Sequence, residues 1–321
     1  MELEQVLSYP WRIMLPEFTI LGVATLLTLL DLFLKKHVNR SFLPWLALAG
    51  TILAIYFVFM NIGEPVQQIL YDTYRLDGFA NGFKLLFLGG AAIVFILSMD
   101  YMRKKEVAYQ GEFYYLLLAA VLGAMILASS ADIITMFIGL ELVSIPSYIL
   151  VALRKKHLQA NESAFKYLVS GGMASAIMLY GLSLIYGLTG ASNLFLIQEN
   201  LYLAFSEGYQ WLIYLAFFLT FVGMSFKIAS APYHMWAPDV YQGAATPIAA
   251  FLAVVSKAAG FALIIRFFMV TFLPVGESNL ETGSPELIML NIGLFIAIAA
   301  SVSMIIGNTL ALKQVNVKRL F

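Results

Sequence analysis

Apolar residues run along this chain in long blocks, and polar residues are confined to the short segments between them. A helix needs roughly 20 mostly apolar residues to cross about 30 Å of hydrocarbon. The blocks do not alternate between apolar and polar positions, which argues against membrane strands. Nine blocks are long enough, at residues 14–34, 42–61, 83–99, 114–131, 133–153, 167–189, 211–231, 245–273 and 287–310. We therefore predict an all-α polytopic membrane protein with about nine transmembrane helices.

The composition supports a membrane protein and narrows its chemistry. Apolar residues make up 61% of the chain and charged residues only 12%, whereas soluble domains carry about 25% charged residues. Basic and acidic residues number 19 each, so the charge balance indicates no nucleic-acid partner. The sequence contains no cysteine, which excludes disulfides, iron–sulfur ligation and thiolate zinc sites. We expect no metal site and no cofactor bound by this chain.

Basic residues predict the orientation in the membrane, because cytoplasmic loops are rich in Lys and Arg. The loops on one side contain only Arg12 and Arg75. The loops after the first, third, fifth and ninth blocks contain a cluster of twelve: Lys35, Lys36, Arg40, Arg103, Lys104, Lys105, Arg154, Lys155, Lys156, Lys313, Lys318 and Arg319. This alternation predicts an N-terminus outside the cell and, after an odd number of helices, a cytoplasmic C-terminus.

Three charged residues within the apolar blocks stand out. Glu141 and Lys257 lie deep inside their blocks, and Lys227 lies toward the end of its block, where the following segment does not simply leave the membrane. A charge at the centre of a bilayer costs at least about 2.5–3.5 kcal/mol. Two interpretations remain open for them. One is a buried ion pair that fixes helix packing, and the other is a series of groups that exchange protons or ions across the protein interior.

Other basic residues lie near block ends and have simpler interpretations. Lys84 and Arg266 are expected to extend along the helix so that their charges reach the interface. Lys166 is expected to pair with Glu162, four residues earlier on the same helix face.

The segment from Lys227 to Pro247 predicts a broken helix. Pro232, Pro238 and Pro247 cannot all lie in one uninterrupted helix, so we expect non-helical backbone between Ser230 and Gln242. His234 and Asp239 fall inside this segment. Broken helices at membrane depth line protein-enclosed or watery sites, and a histidine there suits proton relay. The alternative for the segment is an ordinary short cytoplasmic loop. The alternative for His234 is a side chain that caps a helix end.

Several motifs together resemble one known family, subunit N of respiratory complex I, the bacterial NADH–quinone oxidoreductase. The resemblance covers the whole chain. The most specific motif is Lys227–Pro247, with the continuation Ala-Ala-Phe-Leu-Ala-Val-Val-Ser-Lys-Ala-Ala-Gly at 249–260. Two further motifs are Gly139-Leu140-Glu141-Leu142, followed by Ser144 and Tyr148, and Glu162-Ser163-Ala164-Phe165-Lys166-Tyr167. The fourth is the tail Lys313-Gln314-Val315-Asn316-Val317-Lys318-Arg319-Leu320.

The resemblance implies an antiporter-like fold with two inverted repeats of five helices, each with a broken helix. On this basis residues 1–113 form helices 1–3, residues 114–273 form the first repeat with its broken seventh membrane helix, and residues 274–321 begin the second repeat. The sequence ends at Phe321, so the second repeat is nearly absent. We expect the chain to be a fragment or a truncated product.

The resemblance also implies a function, namely proton translocation in the bacterial plasma membrane as one subunit of an NADH:quinone oxidoreductase. It implies that Glu141, Lys227 and Lys257 form the proton path. We expect His234 to assist, with Ser144, Glu162, Lys166 and Asp239 as supporting residues.

A glycine fingerprint for dinucleotide binding is absent from the sequence. We therefore expect NADH, FMN, iron–sulfur clusters and quinone to bind to partner subunits. The expected partners are neighbouring antiporter-like and small membrane subunits and the lipid bilayer. Two other functions remain open: a subunit of a multisubunit cation/proton antiporter, and a non-conducting assembly or scaffold subunit. The presence of Lys257 where antiporter subunits tend to have histidine favours subunit N.

Overall fold

The computed structural model describes residues 8–34, 40–104, 110–272 and 285–320. A short 3-10 turn, Trp11–Met14, precedes the first helix, and one small hairpin consists of β1 (Gln67–Ile69) and β2 (Tyr74–Leu76). The helices are α1 (Leu15–Phe33), α2 (Leu43–Met60), α3 (Gly78–Lys104), α4 (Gln110–Ser129), α5 (Ile133–Val151), α6 (Leu158–Thr189), α7 (Leu194–Ser206), α8 (Gln210–Ile228), α9 (Trp236–Gly243), α10 (Thr246–Phe251), α11 (Lys257–Thr271), α12 (Pro285–Ala311) and α13 (Val317–Leu320).

In the described ranges, nine helical segments are long and apolar enough to cross a membrane, which confirms the predicted number. They are α1 with its preceding turn, α2, α3, α4, α5, α6, α8, the continuous segment Thr246–Thr271, and the Ile292–Ala311 part of α12. The main difference is α6, which begins at Leu158 and not near residue 167. Its first turns are polar and hold the Glu162–Lys166 ion pair, so a hydropathy pattern misses them.

The connections between the helices gather at two opposite ends, which we call the hairpin end and the basic end. At the hairpin end, β2 pairs with Ser130, and Asp132 pairs with Asn193. At the basic end, the Arg154 side chain donates to the Gly243 carbonyl and Lys318 to the Ala244 carbonyl. This grouping agrees with the alternation of basic loops. Lys35, Lys36 and Lys105 of that pattern, and the 274–284 loop, lie outside the described residues.

Helix α4 is the centre of the packing. Fourteen of its residues are buried, and it packs against α1, α3, α5 and α11. Small residues allow the close approach to α5, because a Cβ atom added at Gly123 would lie 2.7 Å from the backbone of Leu142. Close backbone contact of this kind is the usual source of helix association in lipid.

The predicted break is confirmed between α8 and α9. Helix α8 ends in a Schellman motif, in which Ala229 is left-handed (φ 56°) and the Ser230 N–H bonds to the Ser225 carbonyl at 3.0 Å. Backbone that is not helical continues to Met235, and it includes a cis peptide before Pro232. Pro238 lies in the first turn of α9, where proline is tolerated.

The expectation that Lys84 and Arg266 extend to the interface was wrong. Lys84 is fully buried, and its Nζ lies 2.7 Å from Glu17 Oε1 and donates to the Tyr74 hydroxyl at 2.7 Å. Arg266 is 5% exposed and binds both carboxylate oxygens of Asp77, at 2.5 and 2.9 Å. The hairpin covers this end of the helices and brings Tyr74 and Asp77 to the two cations, so neither needs to reach water.

Two groups of the hairpin end have shifted pKa values. Burial opposes the charged form of Asp77, yet the hydrogen bonds and charge of Arg266 hold the pKa of this carboxyl below its usual value. Burial, and after it the negative charge of Glu17, raise the pKa of the Tyr74 hydroxyl well above its usual value. Asp77 is therefore an anion, and Tyr74 is a neutral hydroxyl between two charges.

We predict that Lys84→Ala lowers the free energy of unfolding by about 3–5 kcal/mol, because it leaves the carboxylate of Glu17 buried without its cation. The measurement is thermal or denaturant unfolding of the full-length protein in detergent. A double variant, Glu17→Gln with Lys84→Met, should regain most of the loss, since buried pairs can be replaced by neutral groups.

Lys155→Ala is the control for this prediction. Lys155 forms a 3.6 Å ion pair with Glu112 and its side chain is 55% exposed, and such surface pairs contribute about 0–1 kcal/mol. Equal losses of unfolding free energy in Lys84→Ala and Lys155→Ala would contradict the prediction that the buried Lys84–Glu17 pair is costly to break.

Candidate functional site

Lys227 lies in the last turn of α8, just before the break, and is only 3% exposed. Its Nζ donates a hydrogen bond of 3.0 Å to Ser144 Oγ on α5. Gly260 on α11 makes room for the lysine stem, because a Cβ atom there would lie 3.1 Å from Lys227 Cγ and 2.8 Å from the side chain of Ile228. The lysine is thus enclosed between α5 and α11.

Glu141 lies one turn before Ser144 on α5 and is half-buried. Its carboxylate is a negative charge in the electrostatic surroundings of Lys227. The oxygen Oε1 is buried without a hydrogen-bond partner among the described residues. In the described part of the chain, the close partner of Lys227 is therefore Ser144, and Glu141 and Lys227 do not form a close ion pair.

Helix α5 is built to present this face. Asp132 caps its N-terminus by accepting a 2.7 Å hydrogen bond from the Thr135 N–H. Pro146 lies inside the helix, so the Leu142 carbonyl lacks its usual helical donor. Glu141, Ser144 and Tyr148 follow at spacings of three and four residues, which places them on one side of the helix.

Lys257 occupies the second irregular point of the membrane helices. A π-helical turn, Leu252–Ser256, directly precedes it within the continuous segment from α10 to α11. Such turns are frequent at functional sites. The half-buried Lys257 places its Nζ 5.4 Å from the centre of the Tyr241 ring, where a cation is attracted by the ring face.

His234 lies in the break, as expected from the sequence. Both ring nitrogens are buried and have no hydrogen-bond partner among the described residues. The ring therefore does not cap a helix end in the described structure. Buried polar atoms without a protein partner are usually bonded to ordered water, so this position suits a hydrated site.

The remaining supporting residues form a separate ionic cluster at the basic end. Lys166 Nζ lies 2.7 Å from Glu162 Oε1 and 2.9 Å from Asp239 Oδ2, which confirms the predicted pair with Glu162. Arg319 extends the cluster, at 3.1 Å from Asp239 Oδ1. The cluster joins α6, α9 and α13 and is largely exposed, so it is distinct from the buried Lys227 site.

Two features of the interior were missed by sequence reasoning. One is the two ion pairs of the hairpin end, Lys84 with Glu17 and Arg266 with Asp77. For the first pair, the acidic residue Glu17 inside the first apolar block was an available signal. The other is an aromatic stack around Tyr167. The centre of its ring lies 4.6 Å from the centre of the Tyr148 ring, edge to face, and 4.6 Å from the centre of the Trp236 ring, with the two planes stacked. Aromatic residues in a membrane helix give no comparable signal, because lipid-facing and buried rings are alike in sequence.

Comparison with known proteins identifies the family. A family model described as NADH:quinone oxidoreductase/Mrp antiporter, TM, matches residues 130–321. The chain belongs to this family. The matched region contains all the candidate site residues from Glu141 to Lys257.

Curated relatives extend the similarity over the complete chain. NADH-quinone oxidoreductase subunit N of Brevibacillus brevis is 50% identical over 100% of this chain and 62% of its own length. The subunit N protein of Anoxybacillus flavithermus is also 50% identical, over 100% of this chain and 63% of its own length. The chain thus spans about three fifths of the length of these relatives.

Solved structures give the same fold. A chain of respiratory complex I from Thermus thermophilus with bound Aureothin is 33% identical, with a TM-score of 0.73 over 95% of this chain and 60% of that chain. A chain of the membrane-bound sulfane sulfur reductase, an archaeal respiratory membrane complex, is 22% identical with a TM-score of 0.76 over 96% of this chain and 61% of that chain. The second similarity shows the fold alone.

The packing around Lys227 yields a prediction. Gly260→Ala should lower the free energy of unfolding by about 1–3 kcal/mol, because the added methyl group meets Lys227 and Ile228 at a closely packed point. The measurement is the thermal unfolding midpoint of the full-length protein. Gly172→Ala is the matched control, because a Cβ atom there has open space. A loss at Gly172 as large as at Gly260 would contradict the prediction.

Proposed function

We propose that this chain belongs to a proton-translocating membrane subunit of a bacterial NADH:quinone oxidoreductase. The observation that carries the proposal is the burial of Lys227 at a helix break, where its Nζ donates to Ser144, with Glu141 one helical turn before Ser144 on α5. A charge held at this depth is costly. A lysine bonded to a neutral hydroxyl, and not to its carboxylate, can change its protonation state more readily than a lysine in a close ion pair.

The mechanism follows from two opposing effects on a buried amine. Burial disfavours the ammonium form, whereas a nearby carboxylate favours it. A movement of Glu141, or its protonation, therefore drives a proton away from Lys227. We propose Lys257 as the next acceptor and His234, with ordered water, as an auxiliary group.

The redox chemistry is assigned to other subunits. We propose that NADH, FMN, iron–sulfur clusters and quinone bind to partners in the assembled complex, and that electron transfer there moves Glu141 or a neighbouring charge. Other antiporter-like and small membrane subunits would lie beside this chain. This proposal is supported by the relatives, whose names describe a subunit of NADH-quinone oxidoreductase.

The family description also includes Mrp antiporters, which supports a cation/proton antiporter subunit as a second candidate. Both functions move protons through the same buried residues. The two are distinguished by what drives the flux, either NADH oxidation with quinone or a gradient of a second cation. A scaffold without conduction would have no need of a buried lysine beside an unpartnered carboxylate oxygen.

We predict that Lys227→Met and Glu141→Gln each lower NADH-driven proton pumping by at least about tenfold, a change of about 1.4 kcal/mol in the barrier. The double variant should lose clearly less than the product of the two factors, because residues that share one site are not additive. The measurement is pumping by the full-length subunit in the assembled complex, in sealed vesicles with a pH-sensitive dye.

Lys155→Ala, at an exposed position of the basic end, is the control and should pump normally. Lys84 is unsuitable for this purpose because it is buried in an ion pair. Losses at Glu141 and Lys227 that multiply fully in the double variant would show that the two residues do not act as a pair.

The orientation forms part of the proposal: the basic end in the cytoplasm of a bacterial cell, and the hairpin end outside. Single cysteines at Ser41 and Ser206, introduced into this cysteine-free sequence, should react from opposite sides of the membrane. Ser206 should react with a membrane-impermeant thiol reagent in intact cells, and Ser41 only after permeabilisation, because basic loops remain in the cytoplasm. Reaction of both from outside would refute the orientation.

A further inference from the structure

Helices α12 and α13 contact both ends of the break, residues 231–244, which we call the broken segment. At its start, the Ala231 N–H donates to Ser303 Oγ on α12 at 3.0 Å. At its end, Lys318 on α13 donates to the carbonyl of Ala244, the residue that follows α9, at 3.0 Å. One stretch of the chain thus bonds to the backbone of the broken segment at both of its ends.

The Ser303 hydroxyl uses its hydrogen and its oxygen in this arrangement. It donates to the Ala299 carbonyl of its own helix at 2.8 Å while it accepts from Ala231. Ala231 directly precedes Pro232 in the break and is 8% exposed. A buried N–H group without an acceptor costs free energy. Ser303 therefore satisfies a backbone group that the break leaves outside a helix.

Charged side chains of α13 hold the other end. Arg319 Nη1 donates to Gln242 Oε1 at 2.7 Å and lies 3.1 Å from Asp239 Oδ1. The ammonium of Lys318 lies on the C-terminal carbonyl of Ala244, where the helix dipole favours positive charge. Because α9 has only eight residues, contacts at this end act on most of the helix.

Helix α9 also rests on α6. Ser163 donates to the Asp239 carbonyl at 2.8 Å, and Lys166 Nζ lies 2.9 Å from Asp239 Oδ2. A Cβ atom at Gly243 would overlap Ser163 Oγ, so glycine allows the close approach of the two helices. The Asp239 carboxylate is thus shared between a lysine of α6 and an arginine of α13.

The held end of α9 carries a ring that faces the second central lysine. Tyr241 is 1% exposed, and the centre of its ring lies 5.4 Å from Lys257 Nζ. Tyr241 directly precedes Gln242, the residue to which Arg319 donates. A displacement of this end of α9 would therefore move the ring relative to Lys257.

We propose that residues 303–319 form a brace that holds the broken segment at both ends and keeps the Tyr241 ring against Lys257. The brace rests on the proposed function, in which Lys257 takes part, and adds to it three positioning residues: Ser303, Lys318 and Arg319. The side chains of the Arg319–Asp239 pair are 35% and 32% exposed, and one such pair alone contributes little. The brace therefore depends on its contacts at both ends acting together.

A cysteine at Ser230 reports on the brace without reference to pumping. Ser230 Oγ is buried and the residue adjoins Ala231, so a thiol there reacts only when the segment opens locally. The reaction of Ser230→Cys with N-ethylmaleimide is followed by the mass of the full-length subunit in the assembled complex. It should be about tenfold faster in Ser303→Ala and in the double variant Lys318→Met with Arg319→Gln, which corresponds to about 1.4 kcal/mol of opening free energy.

Matched controls come from the same segment. Ser301 is exposed on α12 and donates to the Ala297 carbonyl at 2.8 Å, so Ser301→Ala removes a similar hydroxyl away from the break. Lys313→Met removes an exposed cation of the same tail. Both should leave the reaction rate of Ser230→Cys unchanged. A second probe, Ser129→Cys, replaces another buried hydroxyl near the hairpin end and should react at one rate in all variants.

Two further measurements test the positioning role. Lys318→Arg retains a cationic donor and should keep the slow thiol reaction. NADH-driven pumping should fall at least about threefold in Ser303→Ala and in the double variant Lys318→Met with Arg319→Gln, because a small displacement at a reacting group slows transfer. The two controls, Ser301→Ala and Lys313→Met, should pump normally.

Faster reaction confined to Ser230→Cys, together with reduced pumping in both brace variants, would support the brace. An unchanged thiol reaction in either brace variant would overturn it, as would an equal acceleration at Ser129→Cys. Faster reaction with normal pumping would overturn the positioning of Tyr241 against Lys257.

Lys227→Met is measured in parallel to separate the two proposals. An unchanged thiol reaction beside a loss of pumping in Lys227→Met would overturn the brace and leave the proposed function intact. Normal pumping in Lys227→Met would overturn the proposed function and, with it, the role of the brace in pumping.

Discussion

The structure depends on the cost of placing a charge among apolar helices. Hydrocarbon offers no hydrogen bonds to a cation, so each buried basic residue must find its partner inside the protein. Lys84 meets Glu17, Arg266 meets Asp77, and Lys227 meets Ser144 near Glu141. Each of these contacts joins elements that are distant in sequence. The same requirement therefore links segments that are far apart in the chain.

The close partners of the buried cations differ in charge. At the hairpin end, Arg266 holds both oxygens of Asp77 and the Ala128 carbonyl. Such a bidentate pair fixes both charges strongly. Lys227 instead donates to the neutral hydroxyl of Ser144. Glu141 lies one helical turn before that serine, and its Oε1 has no hydrogen-bond partner among the described residues. The first arrangement holds a cation against a full negative charge, whereas the close partner of Lys227 is uncharged.

Much of the fold could be predicted because the length of an apolar block and the spacing of prolines are local features of the sequence. The nine spans and the break after Lys227 follow from these two signals. The burial of Lys84 was missed because the hairpin that covers it has short strands without a clear pattern, and Glu17 inside the first apolar block was the one local signal for its partner. The placement of Ser144 against Lys227 depends on how α5 and α8 pack, which no local pattern reveals. The aromatic stack of Tyr148, Tyr167 and Trp236 also arises only when three separate helices meet.

Both central lysines lie beside irregular backbone, and this follows from the same constraint. An interrupted helix leaves carbonyl and N–H groups without helical partners, which lipid does not tolerate but a protein interior can satisfy. The Trp236 indole donates to the Phe226 carbonyl at 3.1 Å, and the Ala231 N–H donates to Ser303 on α12 at 3.0 Å.

Side chains thus bond to backbone groups at the break next to Lys227, and Lys257 directly follows the π-helical turn. A polar surrounding that satisfies free backbone groups also lowers the cost of a nearby ammonium. The two irregular points are therefore positions along these helices where a lysine is less costly than in a regular, lipid-facing turn.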